Sequence, residues 1–155
     1  SRVPVEAVFD QSAGDLFVVR EAGTLYSPSA AGSLDYSIDH LGVKLLMLLG
    51  HTSCGAVKAA QLEISAIRNE SPPLASLLLD IRRGLVACRA LESPSKAVAA
   101  NVRVQVSRAL ANPVVSRRVA SGELLVVGAI YDLESGLVHL VDTLHVAASP
   151  SRLSC

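Results

Sequence analysis

Apolar positions fall into two patterns along this 155-residue chain: short unbroken runs, and longer stretches that repeat every three to four residues. The runs at 16–20, 43–49 and 124–130 have strand length and few polar residues, as expected of parallel strands covered on both faces. A further run at 137–141 follows the turn Glu134-Ser135-Gly136, which returns the chain as an antiparallel edge hairpin. Helical spacing fills the intervals. Pro4 sits near the first turn of a short helix over 4–10, Ser27-Pro28 opens a helix over 29–41, and Gly42 closes it. One helix is predicted over 55–68, ended by the break Ser71-Pro72-Pro73, and another over 74–91. Ser93-Pro94 starts a helix that runs to 110, and a shorter one follows Asn112-Pro113 and ends at 120. Strand alternating with helix predicts an α/β domain around a mostly parallel sheet. Residues 1–147 read as that single domain and 148–155 as a loose tail.

Composition sharpens this picture. Half of the residues are hydrophobic, yet only 3% are aromatic and none is Trp, so the core is built from Val, Leu, Ile and Ala. A chain of this length removes about 68–70% of its unfolded surface on folding, enough for a substantial core. The apolar surplus also predicts a subunit interface. Fourteen basic residues balance fourteen acidic ones and neither sign forms a run, which excludes a nucleic-acid partner of the usual basic kind. No stretch reaches the roughly 18 apolar residues of a membrane span, and no signal-peptide pattern is present, so no membrane partner is expected. Three Cys, at 54, 88 and 155, make no even framework. They favour a reducing compartment, with Cys88 a packed free thiol in an apolar segment.

The chemistry concentrates in Gly50-His51-Thr52-Ser53-Cys54-Gly55, where the strand run at 43–49 meets a helix. A neutral imidazole and a thiolate are both zinc ligands, and a turn this short can aim them at one point about 2.0–2.3 Å from each. Loops at the carboxyl ends of strands are also where open α/β sheets place their chemistry. Two ligands do not complete a site, because catalytic zinc takes three protein ligands plus water. The plain alternative is a strand-end His beside a small packed Cys. His40, His139 and His145 read as surface or strand-end residues, and Asp35, Tyr36 and Tyr131 as structural ones.

Taken in order, Ser1-Arg2-Val3-Pro4-Val5-Glu6, Gly14-Asp15-Leu16-Phe17-Val18-Val19-Arg20-Glu21-Ala22-Gly23, Gly32-Ser33-Leu34-Asp35-Tyr36 and Gly50-His51-Thr52-Ser53-Cys54-Gly55-Ala56-Val57 resemble the β-class carbonic anhydrases. The ending Gly128-Ala129-Ile130-Tyr131-Asp132-Leu133 to Val141-Asp142 is similar to that family's last strand pair. The resemblance implies four parallel strands plus an antiparallel edge strand, flanked by helices and assembled as a homodimer or a multiple of dimers. It implies zinc as cofactor, CO2 and bicarbonate as substrate and product, and a cytoplasmic setting. Carried over by position, His51 and Cys54 match two metal ligands, Arg2 the arginine that holds an Asp over the metal, and Gln11 and Gly55 substrate-facing positions.

The family draws its first zinc Cys and that Asp from Cys-x-Asp-x-Arg, of which Ser1-Arg2 match only the last two positions. The N-terminal helical arm of the family has no counterpart either. Cys155 does not repair this, since joining the ends gives Ser154-Cys155-Ser1-Arg2, with the wrong spacing and no Asp. The expectation is therefore a zinc lyase for CO2 that is impaired in the chain as it stands. A non-catalytic subunit or scaffold, and a sister hydrolase acting on carbonyl sulfide or carbon disulfide, are the alternatives.

Overall fold

Two glycines decide how closely the sheet meets its covering helix. In a computed structural model describing residues 3–142, strand β1 (Leu45–His51) pairs in parallel with β2 (Leu125–Tyr131), from Leu45 opposite Leu125 to His51 opposite Tyr131. Helix α6 (Pro94–Ala111) crosses this pair. A methyl group added at Gly50 would stand 2.7 Å from Val102 Cγ2, and one at Gly128 would stand 3.0 Å from Val102 Cγ1. Only glycine leaves Val102, which is fully buried, room to seat between the strands.

β2 pairs antiparallel with β3 (Val138–Asp142), with a register shift at Gly128/Ala129, so the sheet among the described residues has the order β1-β2-β3. The α/β class is as predicted, and among the described residues the parallel part holds two of the four expected strands. Residues 16–20 account for part of the difference. They form no strand, and no backbone hydrogen bond among the described residues joins them to β1. A strand exists through its ladder, and a groove separates this segment from the nearest edge.

The remaining elements follow the predicted order. They are α1 (Val5–Val8), a 3-10 turn at Ala22–Thr24, α2 (Pro28–His40), α3 (Gly55–Ala60), α4 (Ile64–Arg68), α5 (Pro72–Ala87) and α7 (Pro113–Ala120). Four helices carry Pro in their first turn, where the missing N–H is harmless. Ser27 caps α2 by accepting from Ala30 N, and Asn112 caps α7 by accepting from Val114 N at 2.8 Å. Gly42, at φ +68°, lets the chain turn out of α2.

The single helix predicted over 55–68 is two. Arg82 Nη1 donates to the carbonyls of Ala60 (3.1 Å) and Leu62 (2.5 Å), satisfying the end of α3 so that the chain can bend before α4. Cys88, just past α5, is disulfide-bonded rather than a packed free thiol. No helix among the described residues is long and apolar enough to cross a membrane.

α6 also carries a buried polar spine. Asn101 Nδ2 donates to Gly23 O (2.6 Å), Gln105 Nε2 donates to Asn101 Oδ1 (3.1 Å), and Tyr26 N donates to Gln105 Oε1 (2.9 Å). These bonds hold the 22–26 segment against the helix. Arg108 completes the line with two bonds to Asp80 of α5, at 2.8 and 2.9 Å, which hold the Asp80 carboxyl below its usual pKa.

Candidate metal centre at the end of β1

His51 is the last residue of β1, and Cys54 lies just before the first residue of α3. The turn between them is held from both sides. Thr52 N donates to Tyr131 O at 3.0 Å, and Leu133 N donates to Thr52 Oγ1 at 3.0 Å, so the ladder with β2 continues past the strand end. Ser53 then takes φ +57°, a left-handed conformation uncommon for a residue with a side chain. Such a residue persists where its surroundings over-determine it, and such positions cluster at functional sites.

His51 is half-buried, and its Nδ1 lies 2.9 Å from Thr52 O. A carbonyl oxygen only accepts, so Nδ1 carries the proton and Nε2 keeps its lone pair for a ligand. This is the usual backing of a metal-binding histidine. Cys54 is a free thiol, 7% exposed, at the margin of the cluster formed by Val57, Ala60, Ile67, Leu78, Ile81 and Leu85. The donor chemistry fits zinc and the donor number falls short. No group of three or more His, Cys, Asp or Glu side chains stands together among the described residues.

The other predicted positions are scattered around this pair. Gly55 opens α3, is exposed, and has open space where a side chain would be. Gln11 is exposed in the loop after α1, where its amide donates to Phe9 O (2.8 Å) and Asp10 O (3.1 Å). Arg2 lies outside the described residues, as do His145 and the tail 148–155. His40 is exposed and packs its ring on Tyr36, with centroids 4.9 Å apart, and His139 is exposed on β3. Asp35 accepts from Asn112 Nδ2 at 3.0 Å, in keeping with a structural role.

Residues not singled out from the sequence do much of the positioning. Thr24 Oγ1 donates to Leu49 O at 3.0 Å, anchoring the 22–24 turn to β1 two residues before His51. Beyond the end of β2, the N–H groups of Ser135 and Glu134 donate to Asp132 and hold its carboxyl below the ordinary range. Pattern in the chain gives little sign of Thr24 or Thr52. For Asp132 the available signal was its place just before the Glu134-Ser135-Gly136 turn, where Asp favours an Asx turn.

A strand-end His backed by a carbonyl, a thiol three residues later and a small mixed sheet define an α/β protein with a candidate pair of metal donors. The family model described as carbonic anhydrase matches residues 1–138, so the chain belongs to the carbonic anhydrase family, in its β class. It is 38% identical over 153 residues to carbonic anhydrase 2 of Mycobacterium tuberculosis, covering 92% of this chain and 70% of that one. It is 32% identical to a carbonic anhydrase of Pseudomonas aeruginosa, covering 92% of this chain and 69% of that one. Among solved structures, the β-carbonic anhydrase CcaA superposes with a TM-score of 0.79 at 26% identity, over 92% of this chain and 75% of that one. The Coccomyxa β-carbonic anhydrase, solved with acetazolamide, gives 0.76 at 29% identity, over 90% and 67%.

Proposed function

We propose that His51 and Cys54 are two of the protein ligands of a zinc site for the reversible hydration of CO2 to bicarbonate, and that this chain by itself is impaired in that reaction. The observation that carries the reading is the backed imidazole at the end of β1, with Nε2 left for a metal and a free thiol three residues on. The carbonic anhydrase names of its relatives support the reaction class. Zinc, when bound, supplies a water acidic enough to lose its proton near neutral pH. His51 holds one coordination position through Nε2, and the Thr52 carbonyl fixes its ring. Cys54 contributes a thiolate. Gly55 offers a backbone N–H at the start of α3, and Gln11 and Arg2 keep the substrate-facing and gating roles implied by the family pattern.

Impairment follows from the donor count among the described residues. Zinc sites of this kind hold the metal through the joint action of three or four ligands, and two leave most of the binding energy unrealised. The same count favours a non-catalytic subunit as the second reading. A carbonyl sulfide or carbon disulfide hydrolase would use the same ligands and is separated only by substrate assays. Self-association and a cytoplasmic location are part of the proposal.

Two measurements test it. Elemental mass spectrometry after dialysis against a mild chelator should find well under one zinc per chain, and stopped-flow CO2 hydration should stay at the buffer rate. One zinc per chain with hydration above that rate overturns the impairment. Zinc titrated against a chromophoric chelator should bind weakly and bind less well to His51→Ala and Cys54→Ser. Unchanged binding in both variants overturns the ligand assignment.

A further inference from the structure

Thr24 holds a backbone conformation that its own side chain opposes. Among the described residues, the non-glycine positions with positive φ are Asp10, Thr24, Ser53 and Arg89, and Thr24, at +56°, is the one with a β-branched side chain. A second branch at Cβ crowds the left-handed region, where glycine or asparagine sits at little cost. Gly23 beside it is left-handed as well, at +69°, so the Ala22–Thr24 turn makes two such steps in succession. What Thr24 brings in return is a hydroxyl on a side chain that is stiff at χ1, aimed at Leu49 O at 3.0 Å. Lys44 O accepts from Leu125 N and Thr52 N donates to Tyr131 O, so the even-numbered residues of β1 bond to β2 and the Leu49 carbonyl points away from it. Thr24 supplies the partner that β2 does not.

The same turn reaches the second donor. Gly23 is buried against α3 and α5: a Cβ placed on it would stand 2.5 Å from Ile81 Cδ1 and 3.6 Å from the Cβ of Ala56, the second residue after Cys54. Asn101 Nδ2 donates to Gly23 O at 2.6 Å, and Gln105 Oε1 accepts from Tyr26 N at 2.9 Å. Both of these α6 side chains are buried. One turn thus touches the strand that ends at His51 and the helix that begins after Cys54, and is itself tied to α6.

We propose that Thr24 is a positioning residue of the His51–Cys54 pair. The 22–24 turn is a wedge between β1 and α3, and the Thr24 hydroxyl fixes how the two donors stand relative to each other. Thr24 acts on neither donor directly, but through Leu49 O, two residues before His51, and through its neighbour Gly23 against Ala56. The proposal rests on reading His51 and Cys54 as metal ligands. Strained residues that their surroundings over-determine are a means of pre-organising a site. Donors already held in place lose less freedom when a metal binds.

The test compares the full chain with its Thr24→Gly, Thr24→Ser and Thr24→Val variants in urea denaturation, amide hydrogen exchange and zinc titration against a chromophoric chelator. The amides followed are those of Thr52, bonded to Tyr131 O just past His51, and Lys58, bonded to Cys54 O, so each donor has a reporter that needs no metal. Thr24→Gly removes the hydroxyl and the strain together. It should keep the parent's urea midpoint, while both amides exchange about tenfold faster and zinc binds about tenfold more weakly. Thr24→Ser, which keeps the hydroxyl, should match the parent in all three measurements. Thr24→Val keeps the strain without the bond and should lose both stability and zinc affinity; should it fail to fold, the Gly and Ser variants carry the comparison. Parent-like exchange and zinc affinity in Thr24→Gly overturn the proposal. So does a loss that Thr24→Ser shares, or one that merely follows a lower urea midpoint. The zinc reading fails differently, by a parent affinity indifferent to His51→Ala and Cys54→Ser, and the two amides then still decide whether Thr24 holds the turn in place.

Discussion

The two edges of β1 differ sharply in how completely they are determined. Toward β2, every residue from Leu45 to His51 has a register partner, and the fully buried Val102 seats against Gly50 and Gly128. Toward the groove, Leu45 is 49% exposed and Phe17 is 43% exposed, although both sit in sequence runs suited to burial. Similar apolar composition thus gives a closed interface on one side and an open one on the other. Apolar character makes burial favourable, but only a neighbour of matching shape and free hydrogen-bonding groups achieves it.

The largest effect is expected on the closed side. Asn101→Leu leaves Gly23 O and Gln105 Nε2 without their partner in the interior. It should destabilise the fold by about 2–3 kcal/mol, seen as a fall in Tm of roughly 5–10 °C. Gly50→Ala forces a methyl group to 2.7 Å from Val102 Cγ2. Overpacking of this kind should cost about 1–2 kcal/mol, measured by urea denaturation. A Gly50→Ala protein as stable as the parent would show that α6 is free to move off the sheet.

Asp80 offers a smaller, pH-dependent test of the same side. Its bonds from Arg108, and secondly from Arg83, lower its folded pKa from the ordinary value of about 3.8. A lowered pKa means that the carboxylate contributes stability above the unfolded value and that this contribution is lost as pH falls through the folded value. Asp80→Asn should therefore lose about 1 kcal/mol at neutral pH and show a flatter acid limb below about pH 4. An acid limb identical to the parent's would remove Asp80 from the α5–α6 contact.

The smallest effect belongs to the groove. Phe17→Ser should change stability by less than about 0.5 kcal/mol in the present chain. A loss of more than about 1 kcal/mol in urea denaturation would mean that Phe17 is packed more tightly than its exposure implies.

Much of the fold was legible because it rests on local signals. Prolines before helices, Gly42 after α2, the continuous run at 43–49 and the Glu134-Ser135-Gly136 turn each act within a few residues. The break between α3 and α4 was not legible, since it depends on Arg82, which is distant in sequence and reaches the carbonyls of Ala60 and Leu62. The candidate site divides the same way. His51 and Cys54 stood out by type and spacing, whereas Thr52, Ser53 and Thr24 acquire their roles from bonds to Tyr131, Leu133 and Leu49.

The chain by itself determined its class of fold, its helix starts, its family resemblance and the two donors at the end of β1, because periodicity, caps and residue chemistry are properties of neighbouring positions. Tertiary structure alone decided that residues 16–20 stay outside the sheet, that α6 fastens the 22–26 segment through Asn101 and Gln105, and which nitrogen of His51 remains for a ligand. These depend on pairings between residues far apart in sequence. A hydrogen bond or a packed contact has no meaning until folding has brought both of its partners to one place.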